Sequence, residues 1–237
     1  MASGARLWPN PASCSNDPNI DLIVIPTPND THFPLAKAAL EAGKHVVVDK
    51  PFTVTLSQAR ELDAVARSRG QLLSVFHNRR WDSDFLTVKS LINEGLLGEV
   101  CYFESHFDRY RPQIRDRWRE RGGPGSGIWF DLGPHLLDQA ICLFGLPVSM
   151  TVDLALLRPG AQSTDYFHAV LVYPQRRVIL HATLLAAAET ARFIVHGSRG
   201  SYIKYGLDPQ EERLKNRRAP SAGGLGIRYA RWNSDAR

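Results

Sequence analysis

Over the first third of the chain, short unbroken apolar runs alternate with amphipathic stretches. Leu22-Ile23-Val24-Ile25 stops at Pro26-Thr27-Pro28-Asn29, which predicts a strand buried on both faces, as in a parallel sheet. Asn29 or Asp30 then caps a helix from about Thr31 to Ala42, with Leu35, Ala36, Ala39 and Leu40 on one face and Gly43 as its stop. His45-Val46-Val47-Val48 reads as a second buried strand, with Asp49-Lys50-Pro51 at its carboxyl end. A helix from about Ser57 to Ser68 and a strand from Leu72 to Phe76 complete the alternation. Strand, helix, strand, helix, strand is the grammar of a doubly wound α/β sheet. Ahead of it, residues 1–19 are rich in Pro, Ser, Asn and Ala, show no period, and predict an irregular leader.

The pattern changes after His77. A helix near Asp84 to Glu94 leads through Gly95 and Gly98 to a long strand, Val100 to Tyr110. A glycine-rich loop, Gly122 to Gly127, precedes a helix from about Asp131 to Phe144. Strands then follow one another without helices: Val148–Leu157, Phe167–Tyr173, Val178–Ala187, Ala191–His196 and Ser201–Tyr205. Such a series predicts an open, mainly antiparallel sheet. The expected organisation is a leader (1–19), the later part of a Rossmann-type parallel sheet (20–80), an incomplete α+β domain for substrate and oligomerisation (81–215), and a disordered basic tail (216–237).

Composition removes several function classes. The net charge of +5 has a local source, because Lys215 to Arg237 carries six basic residues and one acid. The rest of the chain is neutral, so no nucleic-acid face is expected. No run of about 18 apolar residues occurs, so no membrane span is expected. Cys14, Cys101 and Cys142 form no CxxC pair, which suggests reduced thiols and a cytoplasmic protein.

In an open parallel sheet, ligands bind beyond the carboxyl ends of the strands, where loops converge and helix N-termini aim their N–H groups. Three polar clusters occupy those ends: Pro26 to His32, Asp49-Lys50-Pro51, and His77-Asn78-Arg79-Arg80. Each also has a bland reading, since Asn29 and Asp30 serve as caps and Pro51 as a strand stop. Lys50, placed between a buried strand and a proline, is expected to be partly desolvated and able to share a proton. Asp131 and His135, four residues apart, share a helix face. Pro134 suits only a first turn, which places His135 near a helix N-terminus, where the dipole favours a neutral imidazole able to accept a proton. Alone, an Asp and a His at this spacing are more often structural. A metal reading of Asp131, His135 and Asp138 lacks support, because there is no HExxH and the other histidines show no short ligand spacing. No metal is expected. The Gly122–Gly127 loop lacks the GK[ST] ending of a phosphate cradle and reads as a turn that lets the following helix approach its neighbour.

At these residues the chain resembles the Gfo/Idh/MocA family of oxidoreductases, most closely its enterobacterial members, over roughly Asp17 to Asn216. The family's ATPNxxH-like turn appears as Pro26-Thr27-Pro28-Asn29-Asp30-Thr31-His32, its Glu-Lys-Pro motif as Asp49-Lys50-Pro51, and its GGGxxxDxGxH stretch as Gly125 through His135. The resemblance implies an NAD- or NADP-dependent dehydrogenase acting on a hydroxyl of a sugar, polyol or similar small molecule. His135 would be the general base, Lys50 would polarise or relay the proton, and Asp131 would orient substrate or imidazole. The cofactor would lie beside Thr27, Pro28, Asn29 and His32, with Asp49, Lys50 and Asn78 at the other strand ends counted beside it. Trp118 and Arg119 match a cofactor-contacting Trp-Arg pair of some members. A cis Lys50–Pro51 bond is expected, and members commonly assemble as homo-oligomers. The family's first GxGxxG turn is absent from the sequence. Both ends therefore read as truncated, and this chain is expected to bind nicotinamide cofactor poorly or not at all and to be inactive in that case. A catalytically silent binding or regulatory protein on the same fold is the competing reading.

Overall fold

The computed structural model describes residues 10–216; the tail expected to be disordered lies almost wholly outside the described residues. The chain divides into two compact units, Met1–His77 and Asn78–Arg237.

In the first unit, β1 (Leu22–Ile25), β2 (His45–Asp49) and β3 (Leu73–Phe76) form a parallel sheet in the order β1-β2-β3. The register pairs Ile25 with Val48 and Val48 with Val75, so the three strand ends finish level. A five-residue helix, α1 (Pro11–Ser15), forms inside the segment expected to be irregular. Its cause is local: the Asn10 side chain accepts the Ser13 N–H at 2.9 Å, and Pro11 sits where no N–H is needed. The later helices form where expected, α2 over Asn29–Glu41 and α3 over Leu56–Arg69, but α2 starts two residues early, so Pro28 takes the cap position and Asn29 and Asp30 lie inside the first turn instead of capping it. Thr55 and Gln58 close a capping box on α3, and Gly70, at φ 65°, ends it in the left-handed region.

Ile25, Val46 and Val48 pack with Ala36, Ala39, Leu40, Leu62 and Ala66 of α2 and α3. The opposite face differs from the expectation of two-sided burial, since Leu22 and Val24 are 50% and 59% exposed. Both helices pack against the side that carries Ile25, Val46 and Val48.

In the second unit, α4 (Ser83–Asn93) leads to β4 (Val100–His106), then α5 (Gly127–Phe144). Five strands follow: β5 (Ser149–Ala155), β6 (Tyr166–Tyr173), β7 (Arg176–Thr183), β8 (Ala191–Gly197) and β9 (Ser201–Tyr205); α6 spans Gln210–Lys215. The sheet order is β5-β6-β7-β4-β8-β9, antiparallel throughout except for the parallel β4–β7 pair. β4 is shorter than the expected Val100 to Tyr110, but pairing continues beyond it. The N–H groups of Phe107, Arg109 and Arg111 donate to the carbonyls of His181, Thr183 and Leu184 at 2.7 to 2.9 Å.

Burial alternates along β6 and β7. Phe167, Ala169, Leu171, Val178, Leu180 and Ala182 form one core with Leu132, Leu136 and Ala140 of α5, each fully buried large side chain contributing roughly 1.5–3 kcal/mol. The intervening residues, among them Glu104, His106, His168 and His181, point to the sheet's other face, where they are half-buried.

Candidate active site

The β1 end turns directly into α2 through Thr27 and Pro28. Pro28, the residue before the helix, makes no side-chain cap hydrogen bond. The Thr31 hydroxyl lies 2.6 Å from Thr27 Oγ1 and 2.7 Å from the Pro28 carbonyl oxygen, which fixes the turn. His32 is fully buried. Its Nε2 faces the Thr27 carbonyl at 2.9 Å and its Nδ1 the Pro51 carbonyl at 2.8 Å. The imidazole thereby fastens the β1–α2 turn to the β2–α3 turn. The Lys50–Pro51 bond is cis, as expected. Lys50 is partly buried, and its backbone N–H donates to Asp49 Oδ1 at 2.9 Å. Thr27, Pro28, Asn29, His32, Asp49 and Lys50 are thus neighbours at one end of one sheet.

The remaining site residues belong to the second unit. α5 starts at Gly127, a full turn earlier than the expected Asp131. Gly127 has φ 87°, and a Cβ there would lie 2.9 Å from both the Thr164 N and O. Its own N–H donates to the Arg119 carbonyl at 2.8 Å, and the Ile128 N–H to the Thr164 carbonyl at 2.7 Å. The glycine-rich loop therefore does let the helix approach its neighbour. The early start corrects the placement of His135. It is the ninth residue of α5, mid-helix and 4% exposed, so the argument from a helix N-terminus lapses. Pro134 is likewise internal. Gly133 beside it leaves room for the Trp129 indole, which a Cβ would meet at 2.8 Å.

Asp131 and His135 share a face of α5, as the spacing required. Arg119 Nε lies 3.5 Å from Asp131 Oδ1, and its guanidinium stacks 4.5 Å from the Trp118 ring. Trp118, Arg119 and Asp131 are therefore together. Asp138, weighed as a metal ligand with Asp131 and His135, pairs with Arg80 at 2.6 Å. Asn78 opens a short 3-10 turn, Asn78–Trp81, and lines a cavity of about 270 Å³ with Arg79, Asp82, Phe107, Arg109 and Asp208. Arg109 also lines a narrower cleft of about 20 Å³ beside Asp131 and Arg119, room for about one water. Burial, with Arg111, Arg79 and Arg117 nearby, pulls Arg109 down to about 10.

Apart from Arg119, the arginines around this cleft are not singled out by the sequence, because charge counted over the whole chain averages them away. Arg109, Arg111, Arg115, Arg117, Arg119 and Arg121 recur at odd positions, and that spacing was the available signal. Arg158, from beyond β5, organises their loop. It pairs with Asp165 at 2.9 Å and Glu120 at 3.0 Å and donates to the Arg111 and Gln113 carbonyls. Burial opposes ionisation of Glu120, but the Arg115 N–H and the Arg117 and Arg158 guanidinium groups hold its carboxyl below the usual carboxylate range.

Residues 2–77 match the family model for the oxidoreductase family's NAD-binding Rossmann fold, and residues 89–228 match the model for its C-terminal alpha/beta domain. The chain belongs to the Gfo/Idh/MocA oxidoreductase family. The match extends past both limits of the expected Asp17 to Asn216. The chain is 83% identical over 215 residues to the uncharacterized oxidoreductase YdgJ of Escherichia coli (strain K12), covering 88% of this chain and 62% of that protein. It is 43% identical over 206 residues to the scyllo-inositol 2-dehydrogenase (NADP(+)) IolW of Bacillus subtilis (strain 168), covering 87% and 58%. An oxidoreductase structure from Yersinia pestis superposes with a TM-score of 0.86 at 68% identity, covering 94% of this chain and 65% of that one. The chain thus spans about three fifths of the length of the curated relatives it matches.

Proposed function

We propose that the protein is an NAD- or NADP-dependent dehydrogenase that oxidises a hydroxyl carbon of a sugar, polyol or related small molecule. The observation that carries this reading is the pairing of Asp131 and His135 on one face of α5, with Arg119 and Trp118 beside Asp131, in a chain with two family models matched in order. The B. subtilis relative's name, a scyllo-inositol dehydrogenase, supports a polyol as the first substrate to try. The competing reading, a catalytically silent binding protein, is less favoured because Lys50, Asp131 and His135 are all retained.

The residues present fit the nicotinamide end of a dinucleotide. The uncapped start of α2 and the turn fixed by His32 offer a rigid polar edge at the end of β1. The sequence has no GxGxxG to cradle a pyrophosphate. A bound nicotinamide supplies the hydride acceptor. In the proposed roles, His135 takes the proton of the substrate hydroxyl, and Lys50 polarises that oxygen or relays the proton. Asp131, steadied by Arg119, orients a neighbouring hydroxyl or the imidazole. Thr27, Pro28, Asn29, Asp49, Asn78, Trp118 and Arg119 contact the cofactor. His32 acts through the two turns it joins and is a positioning residue. A cytoplasmic location, and homo-oligomers in the longer relatives, belong to the same reading.

Titrating the purified chain with NADH and NADPH tests the cofactor assignment. The expected result is saturable quenching of tryptophan fluorescence by one of the two, at concentrations up to millimolar. If neither saturates, the silent reading takes its place.

A further inference from the structure

The sheet face turned away from α5 carries a second polar cluster, unrelated to Asp131 and His135. Register sets His106 of β4 opposite His181 of β7, and His181 opposite His168 of β6. Asp108, just past β4, completes the group. One ligand-type atom from each of His106, Asp108 and His181 lies within 4.8 Å of the other two. Their side chains are 19%, 4% and 16% exposed.

The separations do not suit direct hydrogen bonds. Asp108 Oδ2 is 3.5 Å from His106 Nδ1, and Asp108 Oδ1 is 3.6 Å from His181 Nε2. Two atoms bound to one ion at about 2.0–2.2 Å in tetrahedral geometry stand roughly 3.3–3.6 Å apart, a spacing that each histidine meets through a different oxygen of Asp108. His106 Nδ1 is buried with no hydrogen-bond partner, although its ring lies among acceptors. The second ring atom is already held, since His106 Nε2 lies 2.5 Å from Glu104 Oε2. A carboxylate on the far nitrogen of a metal-bound histidine is the usual way to fix its tautomer and raise its basicity. Asp108 is oriented in the same manner: Oδ1 accepts the Thr183 N–H at 3.1 Å and Oδ2 the Thr190 hydroxyl at 2.8 Å. Each oxygen keeps a lone pair for the space between the rings.

The geometry points to a divalent transition-metal site formed by His106 Nδ1, His181 Nε2 and Asp108, with Glu104, Thr183 and Thr190 as its outer support. Two imidazoles and one carboxylate select zinc, cobalt or nickel over magnesium or calcium, which prefer all-oxygen shells. Three protein ligands leave a fourth position to water. The ion ties β4, β7 and the segment before β8 into one cross-link. It lies on the opposite sheet face from α5, so its presence or absence leaves the redox reading untouched.

The test uses the full chain, stripped with chelator and titrated with Co²⁺, following visible absorption and stoichiometry, with Zn²⁺ as competitor. One equivalent of Co²⁺ per chain is expected, displaced by Zn²⁺, with the melting temperature rising as free metal exceeds Kd. His181→Gln and Asp108→Asn should each weaken binding about 100-fold or more, and Glu104→Gln roughly 10- to 100-fold. Circular dichroism separates lost binding from lost fold. If one ligand variant fails to fold, the other ligand variant and Glu104→Gln carry the comparison. Absence of stoichiometric binding overturns the site, as does binding unchanged in a folded His181→Gln variant, which would place the ion on another histidine.

Discussion

Burial pushes the Asp82 carboxyl up to about 6, against the pull of Arg79 3.0 Å away. The folded state therefore prefers the neutral acid and takes up a proton on folding. Such a group stabilises most below its unfolded value of about 3.9, and that contribution is lost as pH rises through 6. Asp82→Asn keeps a hydrogen-bonding side chain beside Arg79 and removes the titration. Denaturant unfolding across pH 4 to 7 should then show a flatter profile for the variant, with a relative gain of order 1–2 kcal/mol at pH 7 after solvent screening. Parallel profiles for the two proteins would mean that Asp82 is ordinarily solvated. At this scale the sequence was informative where a residue's place follows from its own strand. Thr27 to His32 and Lys50 were expected at strand ends, and they lie there. It was uninformative where a partner comes from far along the chain. His181 meets Asp108 only because β7 lies parallel to β4, a pairing that no spacing within either strand announces.

Among the elements, α5 holds Asp131 and His135, and its first turn departs from what its local sequence predicts. Glycine at 127 and aromatic residues at 129 and 130 look like loop followed by core, so a start at Asp131 was the natural expectation. Tertiary hydrogen bonds from Gly127 and Ile128 to Arg119 and Thr164 fix the earlier turn, and the glycine makes that approach possible. Gly127→Ala should therefore cost about 3 kcal/mol, combining a positive-φ penalty with a clash against Thr164. Gly43→Ala shares the positive φ of 80° but meets nothing within 4 Å, and it should cost only about 1 kcal/mol. Thermal denaturation of both variants distinguishes the two effects, and equal losses would show that contact with Thr164 does not matter. The bare face of the first unit's sheet has the opposite lesson. Leu22 and Val24 have the composition of a doubly covered strand, yet cover depends on where the helices lie.

For the whole molecule, the order of elements was legible because each unit obeys one rule: parallel strands alternating with helices, then successive strands over one long helix. The role of the arginine loop was not legible, since it depends on Arg158 reaching across from beyond β5 to hold Glu120 and Asp165. Family membership gives both units a place in one dehydrogenase proposal, in which His135 and Lys50 are each assigned a proton-handling role. The most direct test is the rate of NADH or NADPH formation from scyllo-inositol and a panel of related polyols. Cofactor should be supplied at millimolar concentration, because the chain carries no GxGxxG. The account predicts polyol-dependent turnover by the wild-type chain, reduced about 10²- to 10⁴-fold in both Lys50→Met and His135→Asn with each variant folded. Turnover that survives undiminished in either variant, or no turnover with any polyol, would contradict it.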